Sequence, residues 1–422
     1  MSKPIPGKQY TVKTGDTLSS IAAMAYGDGN QWTRIKKANA GRVFWETGSN
    51  DKLSPGNVLT IPADPVREKL RSELTANRLS NRDADQMTLI VDNMEIPIMA
   101  GKVLRTMDTA SDSWTASLAW VPGENPELDE RLKPFGYKQA AVYLGNELMV
   151  NGLLYTVGVE FSGSGCVKNL TGYSFTADMI DSVLSPPYEH NNVTFMQLSA
   201  ELVKPLGLKF EMDDSVVDDS PFDRVTAEST DTIFSHLAKL ATQRGFLISS
   251  TNSGNPIILK AKTSGAPVAT LEEGKPPVLD FSATFDGRTR FNIYRCVGQS
   301  PLDYKEGIAK DTAVPRSRFI TFQADDTITG GVQQSAEWKR SKQLADALEI
   351  PLPVSSWQDP EGRYWKENTL ITVKSPALHI PDGFTFLIRS VEFSYETSGT
   401  PAVLNLVPPQ VYSGEMIKEP WL

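Results

Sequence analysis

The spacing of hydrophobic residues in the first 62 positions passes from that of a strand to that of two helices and back. Gln9–Val12 predicts a short strand and Val58–Ile61 a second one. Between them, apolar residues recur at helical spacing, first at Leu18, Ile21, Ala22 and Ala25 and then at Trp32, Ile35 and Ala38. The pattern therefore predicts a βααβ module within residues 1–64.

From Met87 onward the apolar residues recur at a spacing of two, which is typical of half-buried strands. The preceding segment, residues 65–86, is polar and charged and is predicted to be a linker. Short strands punctuated by Asn and Gly are predicted through residues 87–185. Many short strands at this spacing predict a small barrel or sandwich.

Residues 186–265 carry a different pattern, in which helices and strands alternate. One helix begins near Phe195, and Asp231–Arg244 predicts a second, so we expect a compact α+β insert domain. Residues 266–410 return to strand spacing, interrupted by a helix through Ala336–Leu348, and predict a second β-rich block. The predicted fold class is therefore mainly β with α+β parts, followed by a short tail, residues 411–422.

Composition restricts the classes of function. Hydrophobic residues make up 40% and charged residues 22% of the 422 positions, as in an ordinary globular protein of several domains. A formal net charge of −9 argues against specific nucleic-acid binding, although an acidic lining suits a channel through which DNA slides. We expect neither a signal peptide nor membrane insertion, because no long apolar stretch occurs.

Residues that carry chemistry are sparse. Cys166 and Cys296 could pair or could be buried thiols, and the second reading is preferred. His190, His236 and His379 lie far apart in sequence, without metal-ligand spacing. We therefore expect no catalytic residue, no metal and no cofactor.

An acidic run raises the question of a calcium loop. Asp213-Asp214 and Asp218-Asp219 lack the central glycine and the terminal glutamate of such a loop. The run is therefore predicted to be a solvated loop.

The N-terminal module resembles the LysM domain, a family that mostly binds the N-acetylglucosamine backbone of peptidoglycan or chitin. The resemblance implies a sugar groove at Gly15, Asp16 and Thr17 and around Leu53. Arg42–Asn50 is a longer insertion than most LysM domains have, and it would alter one wall of that groove. A fold alone does not fix the function, so docking to a protein is a second possibility.

A second resemblance begins at Leu170–Ser182, where Gly172, Ser174, Ala177-Asp178 and Ile180-Asp181 fit a motif of phage baseplate hub proteins. These are the hub proteins of phage Mu and the T-even phages, which are also related to the base of type VI secretion spikes. Phe175 replaces the small or charged residue that is usual there. Weaker matches follow in order, at Thr194–Leu208, Glu228, Thr232, Gly245, Val297-Gly298-Gln299, Trp338, Arg340, Trp357, Gly362, Trp365, Asn368 and Leu370.

The hub resemblance covers roughly residues 87–422 and implies two barrels and an α+β domain in each chain. It implies a homotrimer whose six barrels imitate the hexameric tail tube, with the tail tube protein, the tail spike and baseplate wedge proteins as partners. The expected function is a structural hub that joins tube to spike and lets DNA pass during genome ejection. The expected location is the virion tail baseplate, assembled in the host cytoplasm.

Two segments are candidate docking surfaces. For the LysM module we expect docking within the baseplate through Trp32, Phe44 or Trp45, with peptidoglycan binding as the alternative. These aromatic residues could equally be core cover. The tail ends in Pro420, Trp421 and Leu422, which would bind the spike or instead pack on their own barrel.

The alternative function is a LysM-targeted peptidoglycan-binding protein or cell-wall hydrolase. A hydrolase would need a nucleophile or a metal cluster, and the sequence offers no motif for either. The order of β-rich, α+β and β-rich segments also favours the hub.

Overall fold

The structure is a computed structural model that describes residues 4, 9–26, 29–39, 53–62, 83–163, 165–218, 220–298, 305–323, 331–412 and 420–421. The chain forms two compact units, Met1–Asn81 and Arg82–Leu422, which we call the N-terminal unit and the body. Each unit has a hydrophobic core of its own. The predicted linker, residues 65–86, lies almost entirely outside the described residues.

The N-terminal unit is the predicted βααβ module. Strands β1 (Gln9–Thr11) and β2 (Val58–Thr60) pair antiparallel, and helices α1 (Leu18–Tyr26) and α2 (Trp32–Ala38) lie between them in sequence. The apolar faces of these elements meet in a core of Tyr10, Val12, Leu18, Ile21, Ala22, Ile35, Leu53, Leu59 and Ile61. Of the residues at helical spacing, Leu18, Ile21, Ala22 and Ile35 are thus buried, whereas Ala25 and Trp32 are half-buried and Ala38 is exposed.

A buried amide attaches α2 to β2. Asn39 is 2% exposed, and its Nδ2 donates to the carbonyls of Ile35 and Thr60, each at 2.8 Å. Its Oδ1 accepts from the Thr60 backbone N–H at 2.9 Å. One side chain therefore satisfies backbone groups of a helix end and of a strand.

The body contains most of the regular structure of the chain. Its helices are α3 (Pro126–Arg131), α4 (Ala177–Asp181), α5 (Phe195–Val203), α6 (Ile233–Gln243) and α7 (Gly331–Ala347). The strands of its first half are β3 (Met87–Val91), β4 (Met94–Ile96), β5 (Ala100–Thr106), β6 (Ser113–Ala119), β7 (Gln139–Leu144), β8 (Glu147–Ser162), β9 (Gly165–Ser174), β10 (Glu189–Val193), β11 (Glu211–Met212) and β12 (Phe222–Thr226). Those of its second half are β13 (Leu247–Ser250), β14 (Pro256–Leu259), β15 (Thr270–Glu272), β16 (Ile293–Val297), β17 (Glu306–Lys310), β18 (Phe319–Gln323), β19 (Ile350–Val354), β20 (Leu370–Ser375), β21 (Ile380–Tyr395) and β22 (Ala402–Val407).

Twelve of these strands form one sheet. Its order is β15-β20-β21-β5-β6-β9-β8-β7-β3-β4, with β22 between β21 and β19. Strand β5 from the first predicted barrel pairs antiparallel with β21 from the second, with Val103 opposite Phe393. One core also runs through both segments and includes Trp114 and Trp357. The two β-rich segments are thus joined by a shared sheet and a shared core.

Strand β8 extends beyond this core. It pairs with β7 as far as Leu153, and a bulge at Tyr155 separates that part from the outer half, which pairs with β9. We call the outer half of β8, residues 155–162, together with residues 165–168 of β9, the arm. The sequence pattern predicted this strand as two shorter ones.

The α+β insert is present as predicted, with α5 and α6 packed beside the short sheets β11-β14-β13 and β10-β12. Helix α5 begins with a capping box, in which Thr194 Oγ1 accepts from Gln197 N at 3.2 Å and Gln197 Oε1 accepts from Thr194 N at 3.0 Å. Its core centres on Phe195, whose ring makes edge contacts with Phe210 and Phe246.

The prediction of a solvated acidic loop was wrong at Asp218. Its side chain is 2% exposed and forms an ion pair with Arg244. It also accepts from the backbone N–H groups of Phe195 and Met196, the latter at 2.8 Å. The carboxylate is buried because it satisfies free donors at the start of α5.

Residues 266–410 do not form a single barrel. Strands β17-β16-β18 make a separate sheet that packs on α7 around Tyr294, Cys296, Ala309 and Ala336. The sequence pattern of Val278–Phe285 predicts a strand, but among the described residues this segment forms one isolated bridge, from Val278 to Val354. Pro351 and Pro353 in the adjacent β19 have no N–H to donate, so a continuous ladder cannot form there.

Candidate functional site

The predicted groove of the N-terminal unit lies at the turn after β1. Asp16 Oδ2 accepts from Tyr10 Oη and from Lys13 N, each at 2.8 Å. Burial and this hydrogen bond raise the pKa of Tyr10 to about 12. Gly15 takes a left-handed φ of 91° with open space around its Cα. The carboxylate is thus engaged inside the unit, whereas the Gly15 backbone faces open space.

The remaining groove residues have structural contacts. The Thr17 backbone N–H donates to Ser20 Oγ at 2.9 Å, and Ser20 N donates to Thr17 Oγ1 at 3.1 Å, which caps α1. Leu53 is 5% exposed and packs in the core. Its side chain therefore does not line a surface groove, because the chain uses it to close the module.

Of the predicted docking aromatics, the structure describes only Trp32. Its ring packs partly against the core, and Lys36 Nζ lies 5.5 Å from the ring centroid. Phe44 and Trp45 lie outside the described residues. That Trp32, Phe44 and Trp45 form a docking surface remains a prediction.

The C-terminal aromatic residue contacts the body. The Trp421 ring makes an edge contact with Phe285 at a centroid distance of 5.0 Å, and its Nε1 donates to the Leu378 carbonyl at 2.7 Å. The side chain is 38% exposed. Pro420 precedes it, and Leu422 lies outside the described residues. One face of the indole thus packs on its own chain while part of it faces solvent.

The motif at residues 170–182 lies at the end of β9 and in α4. Gly172 packs under Trp114, and a Cβ there would lie 2.3 Å from the indole Cζ2. Ser174 Oγ accepts from Asp112 N at 3.1 Å. Asp178 Oδ1 accepts from Tyr155 Oη at 2.6 Å. Packing therefore accounts for the residue type at Gly172, and hydrogen bonding accounts for the types at Ser174 and Asp178.

A buried ion network holds three parts of the body together. Arg105 on β5 donates through Nη2 to Glu367 Oε1 at 2.6 Å and through Nη1 to the Met149 carbonyl at 2.6 Å. Its Nη1 also donates to Asn252 Oδ1 at 2.7 Å, and Asp112 Oδ2 lies 3.5 Å away. The side chains of Arg105, Asp112 and Glu367 are at most 8% exposed. The guanidinium therefore links the first β segment, the insert and the second β segment.

One guanidinium faces two carboxylates in this network. Burial raises the pKa of Asp112 to about 7, and the attraction of Arg105 only partly offsets this rise. Burial also acts on Glu367, but there Arg105 outweighs it and lowers the pKa. Asp112 Oδ2 has no hydrogen-bond donor among the described residues, which agrees with the opposite pKa shifts of Asp112 and Glu367. The network is thus electrically balanced when Asp112 holds a proton.

No pattern in the sequence predicts this network. Arg105 and Glu367 are 262 positions apart, and neither lies in a motif. An isolated arginine in a strand carries no local sign of its partner. Only the pairing of β5 with the second β segment brings the charges together.

A cleft of about 370 Å³ lies between α6 and α7. Aromatic residues Phe234, Trp338 and Tyr412 line it together with an ion pair, Arg389 Nε to Asp108 Oδ2 at 2.8 Å. Tyr412 Oη donates to the same carboxylate oxygen at 2.8 Å. This lining forms a joint between the insert and the C-terminal part of the body.

The described residues contain no group of three or more His, Cys, Asp or Glu that could hold a metal ion. Cys166 and Cys296 are free thiols, and Cys296 is buried. In the part of the chain that the structure describes, no helix is long and apolar enough to cross a membrane.

Family models match three parts of the chain. Residues 10–62 match the LysM domain. Residues 176–260 match the second domain of gp44-like baseplate hub proteins, and residues 328–415 match the fourth domain of the Mu phage baseplate assembly protein GpP. The two hub matches include the insert and the C-terminal strands.

Individual proteins agree with these matches. The baseplate hub protein gp44 of Escherichia phage Mu is 24% identical over 253 residues, which is 56% of this chain and 66% of that protein. The potassium binding protein Kbp of Escherichia coli O6:H1 is 46% identical over 55 residues, 13% of this chain and 34% of that protein. The chain thus spans slightly less than two thirds of the Mu protein and about a third of Kbp.

A solved structure has the same fold as the body. The 43 kDa tail protein of prophage MuSo2 from Shewanella oneidensis aligns with a TM-score of 0.68 and 22% identity, over 77% of this chain and 98% of that protein. The chain therefore combines a segment that matches the LysM domain with a body that is similar in two segments to phage baseplate proteins and in fold to a prophage tail protein.

Proposed function

We propose that this chain is the structural baseplate hub of a contractile phage tail or of a related injection particle. Three copies form a ring that joins the hexameric tail tube to the central spike and lets DNA pass. The observation that carries the proposal is the sequence relation to the Mu baseplate hub protein over 253 residues. The fold shared with a prophage tail protein supports it.

The interior of the body suits a structural role. The network around Arg105 joins both β segments and the insert, and one sheet runs through the two β segments. A body linked in this way transmits load between partners without internal hinges at these joints. We propose a non-catalytic protein of the virion, assembled in the host cytoplasm, with tail tube, spike and baseplate wedge proteins as partners.

Sedimentation velocity tests the oligomeric state. The full chain alone is expected to sediment with three times the 46.4 kDa chain mass, and the mixture with the spike protein of its own particle with that mass plus the mass of the bound spike. Monomers at every concentration, with and without the spike, would contradict the proposed ring.

Electron microscopy tests the location. Gold-labelled antibodies against the body are expected to bind purified particles at the distal end of the tail. Antibodies against the tail sheath provide the control, because they should label the length of the tail. Label on the capsid, or on no particle at all, would contradict a baseplate position.

For the N-terminal unit we propose docking to a neighbouring baseplate protein. The engagement of Asp16 by Tyr10 and Lys13, and the burial of Leu53, leave few groove side chains for a glycan, which supports docking. Peptidoglycan binding is the competing role, because most LysM domains bind such polymers.

A co-sedimentation assay separates the two roles. Residues 1–64 have their own core and form a compact unit, so they are suitable as an isolated domain. We expect this domain to stay in the supernatant with purified peptidoglycan and to be retained by purified baseplates that lack the LysM unit. Pelleting with peptidoglycan, without retention by baseplates, would overturn the docking proposal.

For the C-terminal tail we propose contact with the spike through the exposed part of Trp421. Val411 is buried and Tyr412 bonds Asp108, so a truncation that tests the tail must begin after Tyr412. This truncation is expected to preserve the urea unfolding midpoint and to weaken spike binding. Unchanged spike binding would assign Trp421 to intramolecular packing alone.

A further inference from the structure

The arm has an apolar face that extends past the core of its own chain. Beyond the bulge, Val157, Val159 and Phe161 alternate with Thr156, Glu160 and Ser162. Val157 packs against the main core, but Val159 is 53% exposed and Phe161 is 85% exposed. Strict alternation is the pattern of a strand with one covered face. No described residue of the same chain covers the outer part of that face.

The arm also carries a free strand edge. Strand β7 pairs with β8 only as far as Leu153, and from Thr156 to Ser162 the described partner of β8 is β9 alone. The opposite edge is therefore open along seven residues, about 23 Å at the rise of a strand. Open edges with apolar side chains are templates for pairing with another chain.

The same chain has a second open edge, in the sheet β17-β16-β18. The edge at β17 is closed, because Gln333 Oε1 accepts from Ile308 N at 2.9 Å and its Nε2 donates to the Ile308 carbonyl at 3.1 Å. Strand β18 pairs with β16 and with no other described strand. Its first residue, Phe319, is 73% exposed.

The charges beside the two edges are opposite. On the arm, Glu160 accepts from Asn169 Nδ2 at 2.7 Å and has no cationic partner among the described residues. Beside Phe319, Arg318 donates to the carbonyls of Gly287 and Arg288, so its bonds there involve no carboxylate.

The other cations near β18 divide into paired and unpaired ones. Arg288 pairs with Asp286 and Arg290 pairs with Asp311, whereas exposed Arg316 has no ion pair among the described residues. An acidic apolar edge and a basic apolar edge therefore lie on one chain, although the net charge is −9.

We propose that the arm of one copy adds as a strand to the free edge of β18 in a second copy. Glu160 then faces the Arg316–Arg318 segment, and Phe161 covers the apolar surface around Phe319. Contact between two unlike surfaces is heterologous, and repetition around a rotation axis closes a ring. This inference rests on the proposed trimer and names the surfaces through which its copies meet.

Charge reversal tests the contact. Glu160→Arg and Arg316→Glu, each in the full chain, are expected to weaken association at least tenfold in sedimentation velocity. The double variant is expected to restore association to within threefold of the original chain, because the charges again match across the contact. Phe161→Ser should also weaken association, whereas Val217→Ser, at an insert residue that is 66% exposed, should not.

Hydrogen exchange of the original chain provides a readout without substitutions. Amides of residues 156–162 and 319–323 are expected to exchange more slowly at concentrations where the chain associates than after dilution to monomers. A chain that forms trimers with equal exchange in both segments, and with no effect of the reversals, would overturn the inference and leave the ring intact. A chain that never associates would contradict both the ring and the contact.

Discussion

At the scale of single residues, the carboxyl group of Asp112 is expected to make the stability of the fold depend on pH. It is fully buried, and burial raises its pKa because the attraction of Arg105 offsets this rise only in part. In the unfolded chain an aspartate titrates near pH 4. The folded chain therefore binds more protons than the unfolded chain between about pH 4 and about pH 7.

This difference predicts how stability depends on pH. The contribution of Asp112 is fully present below about pH 4 and is lost as the pH rises through about 7. The free energy of unfolding should fall by up to about 1.4 kcal/mol per pH unit in this window. Asp112→Asn should remove that part of the slope, as measured by urea unfolding between pH 4 and pH 8.

Asp382→Asn, at an exposed position, is the control and should keep the original slope. If Asp112→Asn unfolds with the same pH dependence as the original chain, the carboxyl group is not the proton-binding site.

Gly172 shows a second effect at this scale. The indole of Trp114 and the Leu153 carbonyl both lie within 2.4 Å of the position where a Cβ would be built. Gly172→Ala should therefore lower the free energy of unfolding by about 1–3 kcal/mol, because the core must shift to admit a methyl group. Gly287→Ala, where the Cβ meets open space, should change it by less than about 0.5 kcal/mol. Equal urea midpoints for the two variants would contradict this account.

At the scale of elements, β5 carries two cationic residues whose ion pairs differ in character. Arg105 is buried against Glu367, whereas Lys102 pairs with Glu392 at 2.8 Å with 52% of its side chain exposed. A buried pair that loses one partner leaves an uncompensated charge, but an exposed pair leaves a hydrated one. Arg105 therefore belongs to a buried joint between elements, whereas Lys102 belongs to a surface contact.

We predict that Arg105→Met destabilises the body by about 3–5 kcal/mol, since Glu367 would remain buried without its cation. Lys102→Met, on the same strand, should cost less than about 1 kcal/mol. Denaturant unfolding followed by tryptophan fluorescence measures both. If Lys102→Met lowers the free energy of unfolding as much as Arg105→Met does, burial does not determine how much these ion pairs contribute to stability.

At the scale of the whole molecule, the net charge of −9 bears on the proposed conduit. A channel that DNA must traverse should not gain free energy from counterion release, which cationic walls would provide. The full chain is therefore expected to bind duplex DNA weakly, with little dependence on salt. Fluorescence anisotropy with labelled DNA at low and moderate salt measures this, and a steep salt slope would contradict a non-sticking wall.

The N-terminal unit is the part that the sequence predicts best. Its contacts are local, and each apolar face, such as that of Leu18 and Ile21, contributes to one small core. The helices of the insert were predicted because one face of each is apolar, and the structure adds that Thr194 and Thr232 cap them. Where an element and the residues that it packs against lie close in sequence, hydrophobic periodicity is sufficient to predict the element.

The contacts between distant segments were decided only by the tertiary structure. Alternating residues predicted strands in residues 266–410 but could not assign β16 to a sheet separate from β20–β22, because strands of different sheets share the same period. The Arg105 network and the shared sheet of β5 and β21 join residues more than 200 positions apart, so no local pattern records them. The sequence by itself therefore determined the elements, the LysM module and the hub resemblance, whereas long-range pairing determined the joints between elements and the free edges that a second copy could cover.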